Sequence, residues 1–292
     1  AVTFKGSGEL DNGWTFALTI AEGDAHAYSA TNVDIVMGGL GSFNFNQGNS
    51  GNGIVIYDNV LPTAWEEAHG AGLSGGVKTV AGIGTSDNIA YRFPKFLGTE
   101  IQVAYAFDPG TTDTADKSSK SSSTNTDRGY DATVKINPSL GTEILSGLNL
   151  YAGASTVEVE SGANDGSSDR YEGVAAVVYA LGPVEVGYML SGLYDGTNSG
   201  VHSYKNTGFG VAFNVNDDLS VSYGEYDTRK AGYNDDSDVA GPEDRIIEVS
   251  SWQAAYTMGG ASFRIADVKV DNALFSATSD LNATVISMSL AF

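Results

Sequence analysis

The chain contains no cysteine, so a disulfide framework and a thiolate metal site are both excluded, and any redox compartment suits it. Positive charge is scarce: 15 lysines and arginines stand against 36 aspartates and glutamates, a net charge of −21. That excess repels nucleic acid and anionic lipid alike. No apolar run reaches the ~18 residues of a transmembrane helix, and residues 1–22 carry neither the basic start nor the apolar core of a signal peptide. His26, His69 and His202 share no metal-ligand spacing, and H-E-x-x-H is absent. Helical periodicity is hard to find. What is abundant is glycine, with 37 residues, and aromatic side chains, with 15 tyrosines and 12 phenylalanines. A chain with these absences reaches a membrane by one remaining route, a closed β-barrel, the only other structure that satisfies every backbone polar group in lipid.

Alternation with period two recurs from end to end. Trp14, Phe16, Leu18 and Ile20 alternate with Thr15, Ala17 and Thr19. Ile101, Val103, Tyr105 and Phe107 do so with Gln102, Ala104 and Ala106, and the pattern returns near residues 131–136, 184–191, 219–223 and 252–258. The polar positions are small or mixed, and aromatics sit near strand ends at Trp14, Phe43, Phe45, Tyr91, Phe93, Phe107, Tyr256 and Phe292. Apolar outside, polar inside and aromatic girdles at the headgroups is the arrangement this predicts. The competing reading, core aromatics of a soluble all-β domain, stays open at this point.

The links alternate as well. Short ones, at Asp11–Gly13, Gly38–Gly41, Gly182–Pro183, Asn216–Asp218 and Gly259–Gly260, suit tight hairpin turns. Between them lie long acidic, Ser- and Gly-rich links at 108–127, 159–169, 194–201 and 229–244. A barrel with one confined and one outer rim needs that order. About 15 strands are expected, where single-chain bacterial barrels have an even number. By the direction of the first and last strands, the missing one is an upward strand ahead of Ala1.

Two patterns are discounted. Gly70–Gly75 fits G-x-G-x-x-G and Gly72–Gly76 fits G-x-S-x-G, but neither has a strand before it and a helix after it. No cofactor and no catalysis are expected. The acidic links at Asp165–Asp169 and Asn234–Asp238 could hold Ca²⁺, although solvated charge explains them more simply.

Three segments carry a family resemblance: TFKGSGELDNGWTFALTI (3–20), GSFNFNQGNSGNGIVIYDN (41–59) and NIAYRFPKFLGTEIQVAYAF (88–107). They resemble the bacterial general diffusion porins, in which a strand reading roughly Gly-Ser-Phe leads into a third loop folded into the channel. The closing strand, with Met288, Leu290 and a terminal Phe292, is similar to that family's outer-membrane assembly signal. The resemblance implies an all-β, sixteen-stranded transmembrane antiparallel barrel. It also implies a homotrimer in the Gram-negative outer membrane that passes small hydrophilic solutes and ions by passive diffusion. The whole chain, 1–292, is then one barrel domain with an inward-folded constriction loop at about 48–87.

A constriction sorts solutes when acids on the loop face bases on the wall. The loop acids are Asp58, Glu66 and Glu67, with Asp87 at its end. Alternation assigns Lys5, Arg92, Lys135, Arg264 and Lys269 to the inner wall. Lys5 and Arg92 fall where the family pattern has wall bases, whereas Gln47 stands where it often has arginine. A thinner basic cluster predicts a weakly cation-preferring pore. Two other readings remain: a sugar-selective channel with an aromatic track of Trp65, Tyr151 and Tyr226, and a secreted soluble adhesin or binding module.

Overall fold

The computed structural model describes residues 2–23, 28–48, 51–84, 86–107, 126–138, 143–159, 169–194, 201–232 and 246–290. Fifteen strands form one sheet in sequence order, each antiparallel to the next. They are β1 (Val2–Glu9), β2 (Thr15–Glu22), β3 (Tyr28–Val36), β4 (Ser42–Gln47) and β5 (Asn88–Arg92). Next come β6 (Thr99–Ala106), β7 (Thr126–Ile136), β8 (Leu148–Val159), β9 (Arg170–Leu181) and β10 (Val184–Tyr194). The last are β11 (Val201–Asn214), β12 (Leu219–Gly232), β13 (Ile246–Met258), β14 (Ala261–Asp271) and β15 (Leu281–Leu290). Sequence neighbours pair throughout, but the expected short-long alternation holds only in part: the first three connections are equal in length, at 10–14, 23–27 and 37–41, and the 137–147 connection is no shorter than 160–169. The polar link expected at 229–244 starts later, because β12 runs on to Gly232 in pairing with Val201 of β11.

The faces of this sheet are inverted relative to a water-soluble fold. On β13, Trp252 is 67% exposed while its neighbours Ser251 and Gln253 are 1% and 6% exposed. Phe4, Phe45, Phe93, Phe107, Tyr188, Phe263, Ile286 and Met288 are exposed in the same way, while Asn44, Asn88, Gln102, Asp131, Glu172 and Asn206 are buried. Water would penalise such an outer wall, since each large apolar side chain left uncovered forgoes ~1.5–3 kcal/mol of burial. Hydrocarbon does not. The sheet is the wall of a β-barrel with its greasy face outward.

The apolar core lies inside that wall. Ile54, Leu61, Ala68 and Val80, from the link between β4 and β5, pack with Val174, Met189, Tyr226, Ile247, Val249, Val268 and Val270 of the wall. This corrects one expected face. Lys269 is expected inward with Arg264, but the two stand five positions apart on unbroken strand, and β14 pairs with β13 and β15 without a bulge. Odd spacing puts them on opposite faces. Val268 and Val270 point inward because the link covers them, so Lys269 points outward beside Asp271, 2.6 Å away.

Candidate functional site

The long link folds onto the inner face and is gripped at its root by side chains of the wall. Asn52, fully buried, donates from Nδ2 to Asn44 Oδ1 at 2.6 Å and to Asn88 Oδ1 at 2.7 Å. Its Oδ1 accepts from Arg92 Nη2 at 2.9 Å and from Gln102 Nε2 at 3.3 Å. The amide is therefore satisfied on both ends, as burial requires. Arg92 also meets Asp34 at 3.2 Å, across two strands.

One carboxylate holds both limbs of the link. Asp131 Oδ2, on the inner face of β7, accepts the backbone N–H of Ile54 at 2.8 Å and that of Ile83 at 3.3 Å. Gly53 and Gly82 precede these two residues, with φ of 76° and 53°. A Cβ at either would fall on the Asp131 carboxylate, so the side chain and the two glycines form one fitted part. Beside it Ala81 N donates to Glu172 Oε2 at 2.7 Å, and Arg170 Nη2 donates to Gly82 O at 2.7 Å.

From this root the link runs along the wall as far as β15 and back. Leu61 and Pro62 sit on Gly187, Gly208 and Gly210, where a Cβ would meet their atoms at 2.5–2.7 Å. Ala64 N donates to Ser222 Oγ at 2.9 Å. Gln253 clamps Glu66 twice, accepting from its N at 3.0 Å and donating to its O at 2.7 Å. Gly72 touches Val285 of β15 and Gly75 touches Val270 of β14. The discounted glycine motifs thus lie in non-helical chain that follows the wall.

The expected charges divide. Lys5, Arg92, Lys135 and Arg264 fall on the inner face by strand register, with Lys135 Nζ 5.5 Å from the Tyr151 ring centroid. Gln47 shares the outward face of Phe43 and Phe45. Of the link acids, Glu66 is exposed, Asp58 half-buried and Glu67 buried. The Asn59 amide lies 3.0 Å from Glu67 Oε2 and donates to it when its nitrogen is turned that way. Burial pushes Asp58 up to about 6 and Glu67 up to about 7, the nearby carboxylates adding to Glu67. His69, half-buried against Tyr226 at 4.5 Å between ring centroids, is pushed down by desolvation to about 4.

Tyr226 is 1% exposed and Trp65 packs against the core, so the three aromatics named for a sugar track do not make a continuous exposed surface. Phe43, Tyr91 and Phe93 form an outward stack with centroids 5.0 and 4.8 Å apart, and Phe45, Phe107 and Tyr256 are outward and exposed. Trp14 closes the β1–β2 turn, its N–H bonded to Asn12 Oδ1 at 3.1 Å. Met288 and Leu290 point outward on β15. Phe292 and the acidic stretch 234–238 lie outside the described residues, as does 165–168. Reasoning from sequence missed Asp131, Glu172, Gln253 and the wall glycines. The available signal was weak: polar or glycine residues at inner positions of confident strands.

The sequence profile of the family described as Gram-negative porin matches residues 1–241. Comparison with curated proteins finds no match. Among solved structures, the anion-selective porin from Comamonas acidovorans is similar at a TM-score of 0.63 and 14% identity, over 99% of this chain and 88% of that one. Salmonella typhi OmpF in complex with daunomycin is similar at 0.66 and 13%, over 98% and 88%. OmpT of Vibrio cholerae is similar at 0.61 and 12%, over 97% and 84%.

Proposed function

Since the chain belongs to the Gram-negative porins, outer-membrane β-barrels that pass solutes by passive diffusion, we propose a water-filled pore narrowed by residues 51–84 and weakly selective for cations. The observation that carries this is the seating of that link on the inner face while the outer face is apolar. Solutes are then sorted by size at the narrowed waist and by the charges along it. A planar-bilayer recording tests it: stepwise ohmic current is expected, with steps in groups of three if the protein is a homotrimer. Absence of current from folded, reconstituted protein would end the proposal.

The cation preference rests on the link. Among the described residues, strand register puts Glu9, Asp34, Glu100, Asp131, Glu172 and Glu185 on the inner wall against Lys5, Arg92, Lys135, Arg170, Lys230 and Arg264, an even balance. Asp58, Glu66 and Glu67 against Lys78 tip it negative. A solved structure of similar fold is described as anion-selective, so the proposed sign is argued from the charges of this chain. Because Asp58 and Glu67 titrate near 6 and 7, cation preference is expected to grow between pH 5 and pH 8 (roughly one unit outside that pair). The same shift means that the docked link prefers the protonated acids. Its stabilising contribution is present below the ordinary carboxylate range and declines as pH rises through 6 to 7. Reversal potentials in a KCl gradient should show the rise in wild type and a flatter profile in Glu67→Gln. A pH-independent reversal potential would contradict this.

The aromatics give no exposed track for a sugar channel, and the apolar outer wall does not suit a secreted soluble module. Ca²⁺ at the outer acidic links remains a proposal for a metal titration. No catalytic role is assigned.

A further inference from the structure

Four residues from four parts of the chain meet on the inner side of β11 and β12. Tyr204 and Lys230 are direct cross-strand partners there. Lys78, on the returning limb of the link, is fixed by its backbone N–H to Thr228 Oγ1 at 3.3 Å, and its Nζ lies 5.7 Å from the Tyr204 ring centroid. Phe275 comes from the 272–280 connection between β14 and β15, and its ring centroid is 6.0 Å from that of Tyr204. Lys230 Nζ lies 5.5 Å over the Phe275 ring.

The connection is held in place by Leu274, whose N–H donates to Gly75 O of the docked link at 2.7 Å. Asn272, Leu274 and Phe275 have φ of 56°, 55° and 59°, values uncommon for residues other than glycine. Such a backbone persists only where its surroundings hold it.

What separates these lysines from Arg92 and Arg170 is the kind of partner, one they share with Lys135 over Tyr151. Arg92 is paired with Asp34 and Arg170 with Glu172, at 3.2 and 3.1 Å, and each carboxylate cancels the charge it holds. An aromatic face attracts an ammonium through its quadrupole but carries no net charge. The rings therefore fix Lys78 and Lys230 without neutralising them. Among the described residues, neither lysine has an ion-pair partner. In a chain of net charge −21, two cations held on neighbouring rings of the inner face, with no ion pair among the described residues, make a local trap for anions, with apolar ring edges beside it for the carbon skeleton of the solute.

We infer that Lys78, Lys230, Tyr204 and Phe275 form a binding site for small organic carboxylates, sugar acids among them. The porin reading supplies only the route by which such a solute arrives. The test is calorimetric titration of the detergent-solubilised protein with glucuronate and with glucose, alongside single-channel recording in KCl. Wild type should bind glucuronate at least about tenfold more tightly than glucose, the order expected of one partly desolvated ion pair. Lys78→Gln/Lys230→Gln should lose that preference while keeping the β-sheet circular dichroism of the wild type. Phe275→Leu, which keeps apolar volume but not the π face, should fall between them. Equal binding of glucuronate and glucose by wild type, or unchanged preference in the double variant, would overturn the inference even if the channel conducts. Preference for glucuronate without current would overturn the channel reading and leave the site standing.

Discussion

Replacing Asp131 with alanine is expected to free both limbs of the 51–84 segment at once and to raise single-channel conductance, with larger neutral polymers entering the pore. One oxygen accepts the N–H groups of Ile54 and Ile83, and both groups are buried. Each N–H left without an acceptor costs about 1–3 kcal/mol, enough to make the docked position compete with looser ones. Asp131→Asn keeps an acceptor oxygen and should be milder. Gly82→Ala should reproduce the alanine phenotype with Asp131 intact, because its Cβ would occupy the place of the carboxylate. Conductance and polymer cut-off measured in bilayers, with the thermal midpoint of the barrel, decide the matter. Unchanged values in Asp131→Ala would mean that the segment is held by its apolar contacts alone.

The barrel was legible in the sequence because its wall obeys a single rule, outward apolar and inward polar with period two, and the expected number of about 15 strands agrees with the 15-stranded sheet. The rule fails where a second layer covers the inner face. On β14 the inward residues beyond Arg264 are Ala266, Val268 and Val270, all fully buried, and on β13 they include Ile247 and Val249. Apolarity there marks contact with the link and no longer marks lipid, so alternation alone puts Lys269 on the wrong face. The acids of the link were visible as a composition, but their depth was not. Glu67 is buried and Glu66 exposed, a difference set by Gln253, which lies 187 residues away in sequence. The Asp131 clamp joins positions 77 residues apart through glycines that no local pattern distinguishes from the 35 others (37 less Gly53 and Gly82).

Those inner-wall glycines lead to a prediction opposite in sign to the first. Gly187 and Gly210 are direct partners on β10 and β11, and with Gly208 they leave the shallow seat that Leu61 and Pro62 fill. Valine at Gly187 puts a Cβ 2.5 Å from Pro62 Cδ, a separation that real contacts do not tolerate. The strand cannot yield without breaking its ladder, so the link must, and the free direction is away from the wall, into the lumen. Gly187→Val is expected to lower conductance, and overpacking of this kind costs about 1–3 kcal/mol. Removing the opposing ring should relieve it: Gly187→Val/Pro62→Ala is expected to recover part of both losses, with a coupling of about 0.5–3 kcal/mol in a double-mutant cycle. Additive effects in that cycle would show that the valine acts on the strand and not through the link. A rise in conductance on Gly187→Val would show that the segment, once lifted, leaves the pore altogether and that its seat serves to keep it in.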